Sequence, residues 1–329
     1  MNIDTFNSKQ VDKGKKVNRV FVLLLILLTG VSVFTGIHDL EITHILRMNE
    51  IQHIVMYSTR IPRTVSLILS GGMLAVCGLL MQQLTQNRFI SPATSGTMAS
   101  ARLGVVIAVI FYSHESVKYQ TIVAFIFAVG GTACFMLFVR SVRNKKALMI
   151  PLVGIMFGNI ISSVSTYLAL QYEVVQQTST WLQGNFSLIS SSNYKLLYLS
   201  VPLFFCVCLF VHHFTIMGLG EVFAESLGVA YGLLETVGLI IVAIATSAVV
   251  LTVGSIPFVG IIIPNLVALK KGDHFASLVL PTALSGAVFL LAADILSRVL
   301  IYPYEIPISV IAGSVGSVVF LYLLIRKES

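Results

Sequence analysis

Residues 237–253 read VGLIIVAIATSAVVLTV, a full run without one charged side chain. The apolar residues show neither the alternation of a half-buried strand nor the single stripe of a surface helix. A helix that is apolar on every side must be surrounded by protein or by lipid. The stretch 20–36, VFVLLLILLTGVSVFTG, has the same character. A helix needs about 20 such residues to cross a hydrocarbon core. Composition agrees: of 329 residues, 56% are hydrophobic and 11% charged, with mean hydropathy +0.92. Soluble domains carry roughly 25% charged residues, so this chain lacks the polar surface that water demands. Backbone groups in lipid must pair within the spanning unit, which leaves helices or closed barrels. The missing alternation argues against a barrel. The fold class expected is all-α, a polytopic membrane protein.

Ten spans are expected, near 20–37, 62–82, 94–112, 120–140, 148–169, 195–214, 236–254, 256–269, 275–297 and 307–325. The eighth is short and contains Pro264, so a broken or tilted segment is expected there. Lys13, Lys15, Lys16 and Arg19 precede the first apolar run as in a signal peptide. That run is longer than a usual signal core and lacks a small-residue cleavage site, so it reads as a retained span behind a tail, 1–19. Lys9 to Arg19, Arg88, the cluster Arg140/Arg143/Lys145/Lys146, Lys270/Lys271 and Arg326/Lys327 fall on one side of this arrangement. The positive-inside rule makes that side the cytoplasm and places both termini there. One membrane domain, 20–325, and a short tail, 326–329, complete the chain. The net charge of +7 is therefore topological. Its dispersal over short loops argues against a nucleic-acid partner.

Cys77, Cys134, Cys206 and Cys208 all fall inside spans. Cys206 and Cys208 face different sides of a helix and suit neither a disulfide nor a metal. The pairs Gly71/Ala75, Gly154/Gly158 and Ala312/Gly316 suit close helix packing in lipid. The segments Leu69–Gly72 (LSGG) and Leu284–Ala287 (LSGA) echo each other, but four small and apolar residues do not make a repeat.

No GxxxxGK[ST] loop occurs, so the chain does not hydrolyse ATP by that route. It also has no HExxH or CxxC pattern, and no cofactor or metal site is expected. His212 and His213 read as interfacial residues without companion ligands. Three features stand out instead. Arg60, Arg63 and Arg298 lie at the external ends of spans, where positive charge opposes the topology. Pairing with Asp294 or Glu305 is one explanation, and a cationic rim that docks an acidic partner is the other. The segment Gly218–Glu235 is either a solvated loop or a short amphipathic helix pair presenting Ala224, Leu227 and Gly228 to a cytoplasmic protein. The run Ile256–Pro264, followed by Lys270–His274, interrupts a span with Pro257, Gly260 and Pro264, the pattern expected beside a transport path.

These blocks also carry a resemblance. TRIPRTVSLILSGGMLAVCGLLMQQLTQN (Thr59–Asn87) resembles the signature of FecCD-type permeases, membrane subunits of iron–siderophore, haem and vitamin B12 importers. The likeness continues through WLQGNF (Trp181–Phe186), AESLGV (Ala224–Val229), SIPFVGIIIP (Ser255–Pro264) and GDH (Gly272–His274). It resumes in LPTALSGAVFLLAADILSR (Leu280–Arg298) and YEIPISVIAGSVGS (Tyr304–Ser317).

The resemblance implies a ten-helix type II ABC importer permease in a bacterial cytoplasmic membrane. Its partners are two ATPase subunits, a second permease (identical or paralogous) and an external siderophore-binding protein. It implies that Arg60, Arg63 and Arg298 meet carboxylates of that binding protein. It likewise implies that Gly220, Glu221, Ala224, Leu227 and Gly228 couple to the ATPase, with Pro257, Gly260, Pro264 and Asn265 near the translocation path. Asn265 and Ala268 depart from the usual family residues. NRFISP (Asn87–Pro92) and SGTM (Ser95–Met98) resemble the branch associated with ferric catecholate and petrobactin-like siderophores. The rival reading is an ion-coupled secondary transporter, which would bury ionisable residues at mid-membrane. Arg102 and Asp294 are its clearest candidates, and both lie nearer span ends.

Overall fold

The structure is a computed structural model that describes residues 3–35, 50–92, 96–113, 115–141, 149–191 and 194–328. Residues Arg143, Lys145 and Lys146 of the basic cluster, and Ser95 of the SGTM block, lie outside the described residues, as do the side chains of Lys9 to Lys16, Arg140, Arg326 and Lys327. Helix α1 spans Ile3–Phe34, and α2 (Glu50–Val55) continues through a π-helical turn at Met56–Arg60 into α3 (Ile61–Thr85). Then follow α4 (Thr97–Phe111), α5 (Val117–Ser141), α6 (Met149–Gln171) and the short α7 (Val175–Leu182). A 3-10 turn at Tyr194–Leu199 leads into α8 (Ser200–Leu209), α9 (Val211–Met217) and α10 (Glu221–Ser226). Helices α11 (Tyr231–Val253), α12 (Val259–Lys271), α13 (Phe275–Val299) and α14 (Ile308–Glu328) close the chain.

Each expected span overlaps helix, the sixth being divided among the 3-10 turn, α8 and α9. Among the described residues, five helical segments are long and apolar enough to cross a membrane by themselves: Gln52–Thr85, Lys118–Phe135, Leu152–Gln171, Tyr231–Val253 and Phe275–Val299. Three expectations need correction. The sixth span is bent by 64° between Tyr194–Leu209 and Val211–Met217. The segment Gly218–Glu235 holds only one separate helix, α10, because Tyr231–Glu235 already forms the first turn of α11. The first helix begins at Ile3, so residues 3–19 continue α1.

Burial separates inner from outer helices. The most apolar stretch of Gln52–Thr85 is 78% buried and that of Tyr231–Val253 is 72%, against 28% for Lys118–Phe135 and 17% for Leu152–Gln171. Helices α3 and α11 are therefore the centre. Helices α5 and α6 turn Ile126, Leu137, Ile160 and Leu170 outward. That apolar exposure suits lipid and far exceeds what a soluble monomer carries.

Glycines let α3 approach its neighbours closely. A Cβ on Gly71 would lie 2.4 Å from the Gly286 carbonyl oxygen, and one on Gly286 would lie 2.2 Å from that of Gly71. The echoing segments LSGG and LSGA are thus the two sides of one crossing between α3 and α13. A second crossing brings Gly78 of α3 against Gly260 of α12. Where lipid supplies no hydrophobic drive between helices, such backbone contact provides the packing energy.

Helix α12 is short for a local reason. The chain leaves α11 through Gly254 (φ +82°) and enters α12 through Phe258, itself left-handed at φ +66°. Phe258 packs against Gly316, well inside α14, and a Cβ on Gly316 would meet Phe258 Cβ at 2.7 Å. The helix starts part-way along the bundle, so it needs fewer turns to reach the end. Pro264 cannot donate to the Gly260 carbonyl. Gln82 Nε2 of α3 donates to that oxygen instead, over a long 3.5 Å.

Candidate functional site

One end of the bundle carries a network of five charged side chains. Asp294 of α13, with no solvent exposure, accepts hydrogen bonds from Arg63 Nε at 2.9 Å and Arg63 Nη2 at 2.7 Å. Its second oxygen pairs with Arg298 Nη2, one helical turn on. Arg63 Nη1 also donates to both carboxylate oxygens of Glu305, at 3.0 and 2.9 Å. Arg298 also reaches the end of α1: Nη1 donates to the carbonyls of Ser32 (3.0 Å) and Thr35 (2.6 Å), and Nη2 to Ser32 Oγ (2.8 Å), while its buried Nε has no partner among the described residues. Arg60, the last residue of the π turn, donates to the carbonyls of Val33 and Phe34 at 2.9 and 3.1 Å.

The last carbonyls of a helix lack intrahelical donors and carry partial negative charge, so cations are favoured there. Arg60 and Arg298 thus close the end of α1, and Asp294 neutralises the guanidiniums between α3 and α13. The structure brings the three predicted arginines together but turns them inward. Arg60 and Arg298 are each 7% exposed, whereas the Arg63 and Glu305 side chains keep 12% and 23%. Asp294 is buried and ionisable, as the secondary-transporter reading requires, yet two arginines saturate it.

The other end carries Arg88, Asp273 and Lys271, with Arg88 and Asp273 paired across two loops. Asn265 Nδ2 donates to the Arg88 carbonyl at 2.9 Å and to the Ile261 carbonyl at 2.7 Å, which ties α12 to the loop after α3. Lys271 Nζ donates to Asn18 Oδ1 at 2.6 Å, joining α12 to α1.

Helices α9 and α10 project at this same end. Gly218 packs against Gln83 of α3, whose Nε2 donates to the Phe214 carbonyl at 3.0 Å. Gly220 takes φ +104° and starts α10, and Gly228 takes φ +78° beyond its end. One predicted surface residue needs correction. Ala224 is fully buried, because α10 leans this face on the bundle core. The outward face instead holds Val222 (81% exposed), Phe223, Leu227 and Leu219, with Glu221 and Glu225 exposed beside them. The sequence pointed to the segment, but a six-residue helix does not reveal which side faces in.

Two of the four residues predicted near a path turn out to pack helices. Gly260 abuts Gly78, and Pro264 is buried. Pro257 and Asn265 are partly exposed. The polar cavity lies elsewhere. It measures about 570 Å³ between α4, α6, α7 and the end of α11, with Arg102, Ser162, Gln176 and Gln183 on its walls. Trp181 Nε1 donates to the Leu251 carbonyl at 3.0 Å and fixes α7 against α11. The loop after α7 reaches the arginine end, since the amide of Ser309 donates to the Gly184 carbonyl and that of Ser191 to the Ser58 carbonyl. Arg102 and the blocks holding Met98, Gln183 and Ser255 stood out in the sequence, but their spacing did not reveal that they line one cavity.

Among the described residues, long apolar helices, an apolar outer surface and ion pairs at the two ends define a polytopic membrane protein. The profile of the FecCD transport family matches residues 23–326, and the chain belongs to that family. It is 42% identical over 311 residues to the petrobactin import system permease protein YclN of Bacillus subtilis, covering 94% of this chain and 98% of that one. It is 35% identical to the ferric-anguibactin transport system permease protein FatD of Vibrio anguillarum, over 93% of this chain and 97% of that one. A solved structure of a metal-chelate type ABC transporter in an inward-facing conformation superposes with a TM-score of 0.84 at 24% identity, covering 95% of this chain and 99% of the other. The chain is a transporter permease subunit, not an enzyme.

Proposed function

We propose that this chain is the membrane-spanning permease of an ATP-driven importer for an iron(III)–siderophore of catecholate type. The observation that carries the reading is the end-to-end likeness, at 42% identity, to a permease of a petrobactin import system. Two separate ATPases, a second permease and an external siderophore-binding protein complete the transporter. Arg88, Lys270 and Lys271 share one end, which supports that end as cytoplasmic under the positive-inside rule and sets both termini there. The apolar outward face of α10, with Gly220 and Gly228 as its bends, is the seat for an ATPase. Such a patch beyond the spans has no lipid to cover it and calls for a protein.

The opposite end receives the binding protein. Arg63 and Glu305 supply its accessible charge, while Arg60 and Arg298 hold the surface in shape from within. ATP binding closes the ATPases, α10 moves with them, and the two permeases rock about the path between them. The test is uptake of a radiolabelled ferric tricatecholate into proteoliposomes holding the whole transporter. Uptake should require ATP and survive collapse of the proton gradient. Uptake that follows the gradient at constant ATP would favour the secondary transporter instead.

A further inference from the structure

The cavity beside α4 has a one-sided chemistry. Arg102 lines it from the second turn of α4, and no hydrogen bond or ion pair reaches this guanidinium among the described residues. The side-chain amides of Gln176 and Gln183 and the hydroxyl of Ser162 are likewise without partners there. Ser179 and Thr180, also on the wall, already donate to the Gln176 carbonyl at 2.9 Å each. Among the described residues no carboxylate lines the cavity.

The contrast with the arginine network is informative. Arg63 and Arg298 are matched by Asp294 and Glu305, whereas Arg102 is half-buried with no countercharge. A cation within a spanning helix is costly, and such residues normally pair or mark a pathway. Arginine presents five N–H donors in a planar fork matched to paired anionic oxygens. Four donor groups around one cavity of about 570 Å³ fit a bulky, oxygen-rich anion.

We infer that Arg102, with Gln176, Gln183 and Ser162, forms an anion-recognising station that receives the negatively charged oxygen face of the ferric chelate as it leaves the binding protein. This rests on the importer reading and adds a charge criterion for the cargo: a net-negative chelate is favoured and a neutral one is not. The cavity's floor at Ser255 and its wall at α7 adjoin the end that carries the arginine network. Cargo delivered at that end meets this station first.

The experiment uses the complete reconstituted transporter and ferric tricatecholate, with ATPase activity and binding-protein affinity measured alongside. Removing one charge-assisted contact costs roughly tenfold in the interaction it serves, so Arg102→Gln should slow uptake by about that factor per ATP hydrolysed. Arg102→Lys should restore part of it. Gln176→Glu, at an exposed position on α7, places a carboxylate in the cavity without disturbing the core and should also slow uptake. Unchanged uptake in Gln176→Glu, whether or not Arg102→Gln assembles, overturns the inference. So does an equal loss in Arg102→Lys and Arg102→Gln. A wild-type transporter that imports no ferric chelate under ATP overturns the importer reading, and this station with it.

Discussion

Asp294 and Arg63, 231 positions apart in the chain, share two hydrogen bonds at 2.7 and 2.9 Å through the same carboxylate oxygen. The other oxygen of Asp294 engages Arg298, so a single buried carboxylate balances two guanidiniums. Breaking a buried pair by removing one partner typically costs about 3–5 kcal/mol, because the remaining charge stays uncompensated. Asp294→Asn should therefore lower the thermal unfolding midpoint in detergent sharply. Glu305→Gln, at a partly exposed site, should lower it far less. Equal midpoints for wild type and Asp294→Asn would show that the network is not what holds α1, α3 and α13 together.

Gly78 tolerates no side chain. A Cβ there would sit 1.9 Å from the Gly260 carbonyl oxygen and 2.5 Å from its Cα, both backbone atoms of α12. Overpacking of this kind costs typically about 1–3 kcal/mol, and more when backbone must move. Gly78→Ala should reduce folded protein in the membrane, whereas Gly130→Ala, with nothing within 4 Å, should not. Size-exclusion profiles of the two variants in detergent decide it, and matching profiles would refute the close crossing.

The outward face of α10 separates coupling from folding. Val222→Asp and Leu227→Asp alter residues 81% and 61% exposed, so insertion and unfolding midpoint should stay near wild type. Stimulation of the partner ATPase by loaded binding protein should fall. Ala224→Leu, at a fully buried position, should do the reverse and impair folding first. Normal stimulation in the double aspartate variant would remove α10 from the ATPase interface.

Binding-protein docking is best probed by salt, because reversing Arg60 or Arg298 would damage the end of α1. Arg63 keeps 12% of its side chain exposed at this end, so it is the guanidinium of the ion-paired network that an acidic partner can reach. Raising ionic strength from about 0.1 M to 1 M shortens the Debye length from about 10 Å to 3 Å. Association with the binding protein should slow, and Arg63→Gln should blunt that salt dependence. An association rate indifferent to both would leave docking to shape alone.

The sequence by itself determined the class and the positions of the spans. Runs such as 237–253 are apolar on all sides, and that property survives any arrangement of the helices around them. It determined the end blocks too, since charge is costly within lipid and collects at the ends of the spans. Only the tertiary structure decided which face of each short element turns inward. Ala224 sits in the core while Val222 projects, because six residues of α10 carry too little pattern to fix a phase. Arg60 and Arg298 proved to close the carbonyls of α1, a partnership across 26 to 27 and 263 to 266 positions that spacing cannot express. Gly260 proved a contact surface for Gly78, and the cavity around Arg102 arose from four helices, of which only α6 and α7 are neighbours in the chain. Hydropathy acts on each segment alone, whereas a site is made by the segments that packing brings together.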